Sequence, residues 1–293
     1  MHPELAWELG PGRRSRHNLT VTPEGNMALR VLTERWVRSA PVTDATWEYY
    51  PARQPAPHLQ LLMGGHTLTP DDWVIAAQVD DGPLVLNLSA YHPLLRKFPD
   101  RERPRVGFVA LDQMFGEDTV EKWMGKLNFT TDKPKNGSAP GEVLKMIQTL
   151  EEESRKEVFT LGQGLDRDRH PLFLNFNQRL KRLDHLFAET HIQLDLRLRQ
   201  PNANGLPGPE EGERLNMLED RLLAAAQGEV YVGRLTGNGR RSMHFYAENP
   251  QHLVETLTAE AASSGWQHHL QSERDPEWSF YRERLFAEFA PAS

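Results

Sequence analysis

Several features are absent from this 293-residue chain, and each absence narrows the range of functions. The chain contains no cysteine, which excludes disulfides, thiolate metal sites and thiol nucleophiles and is compatible with a reducing compartment. No run approaches the roughly 20 apolar residues that span a bilayer, and the start lacks a basic segment followed by an apolar one. We therefore expect a cytoplasmic protein that does not associate with membranes.

Positive charge is also scarce. The chain has 34 Lys and Arg against 41 Asp and Glu, so its net charge is -7. Because phosphate backbones are bound by clustered basic side chains, nucleic-acid binding is possible through a local patch but is not favoured. Hydrophobic residues make up 38% and charged residues 26%, a globular balance in a chain long enough to bury two cores.

Motifs for cofactors, metals and known catalytic centres are missing as well. Gly162-Gln-Gly164 lacks the third glycine of a dinucleotide-binding turn, and neither a Walker sequence nor a Gly-x-Ser-x-Gly elbow occurs. His268 and His269 form the one histidine doublet, but neighbours on a strand point to opposite faces and cannot ligate one ion together. We expect neither a cofactor nor a metal.

The distribution of turn-forming residues predicts more than one domain. Residues 133–141 are rich in Pro, Gly, Lys and Ser, which is typical of an exposed connection. We expect an N-terminal α+β domain over residues 1–135, a helical linker region over 136–184 and a C-terminal domain over 185–293. Within the first domain, a DG turn predicts a hairpin over 73–88, and residues 118–127 have the spacing of a short helix.

The C-terminal domain has a regular order of predicted elements. Apolar and polar residues alternate strictly over 190–198, a helix follows Pro209, and Thr236-Gly-Asn-Gly239 joins two aromatic-rich strands. Asn249-Pro250 opens another helix, which leads to a strand near 266–272. The order β-α-β-β-α-β predicts an α+β fold of the ferredoxin-like, split βαβ type, an antiparallel sheet with helices on one face.

Two C-terminal segments carry a family resemblance. Residues 231–246 and Asp275-Pro-Glu-Trp-Ser-Phe-Tyr281 resemble the bacterial domain of unknown function 695 family over roughly 185–286. The resemblance implies an architecture similar to the regulator of ribonuclease E activity B, a small protein that inhibits an RNA-degrading endonuclease by binding it. In the first half, 23–26, 53–55 and 111–117 resemble the region that precedes this domain in longer members.

The hairpin strands supply the candidate binding residues. Arg240 and Arg241 follow the turn and Arg234 lies across from them, forming a local positive cluster for an acidic partner or a phosphate. A strand's period of two places His244 and Tyr246 on one face. We expect the sheet face that bears Arg234, Arg240, His244 and Tyr246 to be exposed and to bind a partner; solvated edge charge is the other interpretation of these arginines.

The segment after the last strand contains paired carboxylates beside an aromatic ring. Asp275 and Glu277 could divide acid and base roles if their environments differ. The simpler interpretation is that Asp275 begins a turn and Trp278 packs on the sheet. Asp275 and Trp278 join the candidate binding residues.

Together these patterns favour a binding or regulatory module without catalysis. It would act on a protein partner, such as an RNA-processing enzyme, through the exposed sheet face or a strand edge. One alternative is direct RNA binding on the sheet. Another is an uncharacterised hydrolase that uses Asp275 and Glu277. An unpaired apolar strand is equally compatible with a homodimer.

Overall fold

The computed structural model describes residues 2–165, 169–285 and 290–291, and the chain divides into two compact units. Unit 1 is Met1–Lys156 and unit 2 is Glu157–Ser293. Both units combine helices and strands, so the predicted α+β class is confirmed.

Unit 1 is built from short sheets and four α-helices in its described part. Its strands are β1 (Ala6–Pro11), β2 (His17–Thr22), β3 (Trp47–Tyr50), β4 (Leu61–Met63), β5 (His66–Leu68), β6 (Val74–Asp80), β7 (Val85–Tyr91) and β8 (Met124–Thr130). Its helices are α1 (Arg30–Arg38), α2 (Arg103–Phe115), α3 (Glu117–Trp123) and α4 (Pro140–Glu153). Short 3-10 helices occupy Met27–Leu29, Pro70–Asp72 and Pro93–Lys97.

The core of unit 1 lies between the β6-β7-β8 sheet and helices α2, α3 and α4. Trp73 and Trp123 are among its largest fully buried side chains. The predicted hairpin over 73–88 is confirmed as β6 and β7. The helix predicted over 118–127 ends at Trp123, because Met124 takes extended backbone and begins β8 beside β7.

Unit 2 contains a large antiparallel sheet whose strands differ in length. Its strands are β9 (Phe159–Leu165), β10 (Pro171–Asn177), β11 (Thr190–Arg197), β12 (Val230–Gly237), β13 (Arg240–Ala247), β14 (His268–Arg274) and β15 (Ala290–Pro291). Its helices are α5 (Pro209–Ala225) and α6 (Pro250–Ser263), with a 3-10 helix at Arg182–His185 and a π-helical turn at Phe280–Arg284. The strand order is β14-β11-β13-β12-β10-β9-β15.

Helices α5 and α6 cover one face of this sheet, which we call the helix face. The alternation in β11 buries Ile192, Leu194 and Leu196 there, as predicted, together with Met243 and Phe245 of β13. A buried apolar side chain of this size contributes about 2 kcal/mol. The α5–α6 layer is therefore fixed by the period of the strands.

The opposite face, here called the covered face, carries a second core. Leu174, Phe176 and Val232 from the strands pack there with Trp278 and Phe280 from the segment that follows β14. We call residues 275–285 the C-terminal segment. Its presence makes the sheet a layer between two apolar cores.

Residues 136–184, expected as a helical linker region, differ from that expectation. Helix α4 places Val143, Ile147 and Leu150 in the core of unit 1, whereas β9 and β10 belong to the sheet of unit 2. The amphipathic spacing of 143–150 gives this helix a face to bury, and the two following strands pair with each other. Along the chain, the boundary between the two compact units falls between Lys156 and Glu157.

In the part of the chain that the structure describes, every helix is too short or too polar to cross a membrane.

Candidate functional site

A β-bulge divides the arginines that were expected to share a surface. The pairing of β12 with β13 shifts register between Tyr231 and Gly233, and Gly233 has φ 147°. One extra residue reverses which face each later side chain of β12 takes. Arg234 therefore lies opposite Met243 on the helix face, not with His244 and Tyr246.

Arg234 and Arg241 both bind the buried carboxylate of Glu219 on α5. Arg241 Nη1 lies 3.0 Å from Glu219 Oε2, Arg234 Nη1 contacts the same oxygen, and the Tyr231 hydroxyl donates to Oε1 at 2.9 Å. Burial, and then the charge of Arg234, lower the pKa of Arg241. These arginines hold α5 on the sheet, so the expectation of a free positive cluster is wrong for them.

Arg240 keeps an exposed position at the end of the hairpin. Its Nη1 lies 3.4 Å from Asp195 on the neighbouring strand. Among the seven candidate binding residues, Arg240 alone is classed as exposed.

His244 and Tyr246 lie on the covered face, so the expectation of an exposed sheet face is wrong. His244 is 2% and Tyr246 0% exposed, because the C-terminal segment packs over them. Trp278 stacks on Tyr246 with ring centroids 4.2 Å apart, and Phe280 stacks on His244 at 4.3 Å. Bases cannot stack on these rings while the segment is in place.

Asp275 holds the C-terminal segment against the sheet. Its carboxylate accepts hydrogen bonds from the Tyr246 hydroxyl at 2.7 Å, from Ser279 N at 2.8 Å and from Phe280 N at 2.9 Å. Burial opposes its ionisation, but these donors outweigh burial and hold the pKa of Asp275 below its usual range. The indole of Trp278 donates to Ala188 O at 2.9 Å.

This geometry is that of a turn and a packed aromatic ring. Glu277 is exposed, whereas Asp275 is buried and its oxygens accept from Tyr246, Ser279 and Phe280. No hydrogen bond joins Asp275, Glu277 and a histidine among the residues described. Nor do the described residues contain a group of three or more His, Asp or Glu placed to hold a metal ion.

A buried histidine pair lies under Phe280. His191 Nε2 and His244 Nδ1 are 3.2 Å apart, and His191 Nδ1 lies 3.5 Å from Glu273 Oε1. Burial lowers the pKa of His191 to about 4 and that of His244 well below its ordinary value. The pair is therefore neutral near neutral pH. His244 Nε2 is buried without a hydrogen-bond partner in the described structure.

Strand β9 lies near one edge of the unit 2 sheet. Of the described residues, β15 alone pairs with its outer side, at Leu165 and Gly164, and none of them pairs with the outer side of Phe159–Gln163. Gln178 N donates to Val158 O, so residues of even number in β9 face β10. In an antiparallel ladder the alternate residues, Phe159, Leu161 and Gln163, then direct their N–H and C=O groups outward.

The side chains beside this edge are apolar and exposed. Phe159 is 41%, Leu161 80% and Phe173 41% exposed, and all three lie on the helix face beyond α5. The rings of Phe159 and Tyr231 lie 5.9 Å apart, which links this patch to the helix-face core. We call Phe159–Gln163 with Phe173 the β9 edge.

A cleft of about 370 Å³ lies between the β9 edge and α5. It is lined by Glu157, Phe159, Asn175, Glu219, Leu223, Ala226, Gln227, Glu229, Tyr231 and Phe245. Burial raises the pKa of Glu229, which accepts the N–H of Glu248 at 3.2 Å. Asn175 Oδ1 is buried and has no hydrogen-bond partner among the described residues.

A polar cluster in unit 1 joins the three segments that the resemblance singled out. Glu117 accepts from Thr22 Oγ1 at 2.6 Å and from Arg53 N at 2.8 Å, and Arg53 pairs with Glu24 at 3.1 Å. Burial, and then Glu117, raise the pKa of the nearby Asp112 to about 7. Arg53 serves as the common partner that fastens these loops.

The β9 edge and its cleft were not predicted from the sequence. Phe159, Leu161 and Gln163 do alternate with Thr160 and Gly162, but the glycines weaken the strand signal. Their alternation was the available clue.

Comparison with known proteins gives one match. No curated protein and no solved structure matches the chain. The match covers most of unit 2 and includes β10, the hairpin and the C-terminal segment. Residues 166–286 match the model of a family of unknown function, DUF695.

Proposed function

We propose that unit 2 is a non-catalytic binding module that takes an extended segment of a protein partner at the β9 edge. The observation that carries the proposal is the outward-facing backbone of Phe159, Leu161 and Gln163 beside exposed apolar side chains. An added strand would satisfy these backbone groups and bury the side chains at once.

Strand β14 forms the opposite edge of the sheet and differs from β9 in its side chains. It reads His-His-Leu-Gln-Ser-Glu-Arg and is largely exposed and polar. Charged edges discourage strand addition. Strand β9 has no charged residue over 159–165, which favours it as the docking edge.

The burial of the sheet rings and the ion pairs of the hairpin arginines favour a protein partner over RNA. The candidate rings on the sheet, Tyr246 among them, lie beneath the C-terminal segment, and Arg234 and Arg241 are engaged by Glu219. The order β14-β11-β13-β12 with both helices on one face supports the ferredoxin-like, split βαβ interpretation. A regulatory role on an RNA-processing enzyme, like that of the regulator of ribonuclease E activity B, is one form of this proposal and is supported by the resemblance of 231–246 and 275–281.

The test selects random ten-residue peptides displayed on phage against the full chain. Enriched peptides are then measured on the Leu161→Pro variant, which loses one outward N–H, and on Leu161→Ala, which loses only the side chain. Proline is tolerated at an outward-facing edge position because the ladder to the next strand is kept. The matched control is Ser272→Pro on β14, an outward-facing position since Arg197 N bonds Gln267 O.

We expect Leu161→Pro to weaken binding about tenfold, Leu161→Ala by less, and Ser272→Pro not at all. Absence of any enriched peptide, or equal binding by all three variants, would contradict docking at the β9 edge.

A further inference from the structure

We infer that the partner segment carries a basic side chain, lysine or arginine, that enters the cleft beside β9. The inference rests on the proposed function and adds the chemistry of the docked residue. It follows from the charges, rings and acceptors that line the cleft.

The cleft presents negative charge without a matching cation. Glu157 is exposed and Glu229 half-buried at its wall, and neither forms an ion pair within the described ranges. Burial raises the pKa of Glu229, while the hydrogen bond from Glu248 N opposes this rise and the negative charge of Glu248 adds to it. A bound cation would offset the cost of burying the Glu229 carboxylate.

Two arginines beside the cleft are already engaged. Glu219 lines its base, but Arg234 and Arg241 contact that carboxylate from the strands. The cleft lining itself contains neither lysine nor arginine. An anionic ligand would therefore meet carboxylates without a free positive charge, which disfavours phosphates and acidic peptides.

The remaining lining suits the stem of a long basic side chain. Phe159 and Tyr231 present rings tilted by 30°, and Leu223 and Ala226 add aliphatic surface. Lysine and arginine bury their methylene stems on such surfaces and place their charge near ring faces. Asn175 contributes an acceptor, Oδ1, that has no partner in the described structure.

Strand geometry brings such a side chain to the cleft. Phe159 and Leu161 point toward the helix face, so alternate residues of an added strand would lie on that same face. One of these positions would carry the basic residue.

The experiment uses the peptides enriched on the full chain. Each is resynthesised with its lysines and arginines replaced by glutamine, and affinities are measured at 50 and 300 mM salt. The protein variant is Glu157→Gln/Glu229→Gln. The control, Glu210→Gln/Glu213→Gln, makes the same change in net charge on exposed residues at the start of α5.

We expect enrichment of basic peptides, about tenfold weaker binding after either the peptide or the Glu157/Glu229 change, and no further loss when the two are combined. The control variant retains its affinity. Peptides that bind at the β9 edge without preference for basic residues, or without loss in Glu157→Gln/Glu229→Gln, overturn this inference and leave the proposed function standing. A selection without enriched peptides overturns both.

Discussion

Asp275 is the residue that fastens the C-terminal segment to the sheet. Replacing it with asparagine removes the charge that accepts from Tyr246, Ser279 and Phe280. Hydrogen bonds to a charged group contribute about 2 kcal/mol, so we expect Asp275→Asn to lower the free energy of unfolding of unit 2 by about that amount. Urea unfolding, monitored through hydrogen exchange of the unit 2 amides, measures this free energy.

Glu277 provides the matched control two positions away. It is exposed, so Glu277→Gln should change stability by less than about 0.5 kcal/mol. Equal effects of the two changes would argue against the capping role of Asp275.

The buried histidine pair predicts a loss of stability on mild acidification. His191 titrates near pH 6.5 when unfolded but has a pKa of about 4 when folded, so the unfolded chain binds more protons between these values. The free energy of unfolding should therefore decrease as the pH is lowered from about 6.5 to about 4, by up to about 3 kcal/mol for His191. The negative charges of Glu273 and Asp275 favour protonation of His191, whereas the positive charge of Arg284 opposes it. The positive charge of Arg240 likewise opposes protonation of His244.

Urea titrations of unit 2 between pH 6.5 and 4.5 test this dependence. The variant His191→Gln/His244→Gln should have a flatter profile, and the exposed His269→Gln should keep that of the parent chain. A parent profile without slope would contradict neutral buried imidazoles.

At the scale of elements, the bulge at Gly233 decides which arginines meet α5. A Cβ at this position would lie 2.3 Å from Asn175 O and 2.5 Å from Phe176 Cα, and the φ of 147° is reached readily only by glycine. We expect Gly233→Ala to destabilise unit 2 by more than about 2 kcal/mol. Thermal unfolding is the measurement.

Gly212, in the first turns of α5, is the corresponding control. A Cβ there meets nothing within 4 Å, and alanine is the better helix former by about 1 kcal/mol. Gly212→Ala should therefore be neutral or stabilising. A similar loss in both variants would show that the bulge has no special requirement.

Elements with a clear period were predictable from the sequence. The alternation in β11 and the apolar spacing of α5 and α6 gave the correct buried faces, since burial follows period. The face of Arg234 was not predictable, because a bulge shifts parity without a fixed sequence signature. The covering of His244 and Tyr246 depends on a segment about 30 residues downstream. Its sequence indicated a turn at Asp275 and packing of Trp278 on the sheet, but not which face of the sheet it covers.

At the scale of the molecule, each unit has its own core. The cluster around Trp73 and Trp123 belongs to unit 1, and those on the two faces of the large sheet belong to unit 2. A hydrophobic core of its own is what a segment needs to fold as an independent domain. We expect residues 1–156 and 157–293 each to fold when expressed separately, with dispersed amide spectra.

Spectra collapsed to the random-coil range for either segment would contradict this independence. A cut inside α4, after residue 146, is the control: it divides the buried residues Val143 and Ile147 between two chains and should disrupt unit 1.

Docking at the β9 edge is tested most directly by amide hydrogen exchange of the full chain, measured with and without a saturating concentration of an enriched peptide. This experiment follows the outward-facing N–H groups themselves. We expect slower exchange at Phe159, Leu161 and Gln163 in the presence of the peptide, with β14 unchanged. Protection confined to β14 or to unit 1, with none at β9, would contradict it.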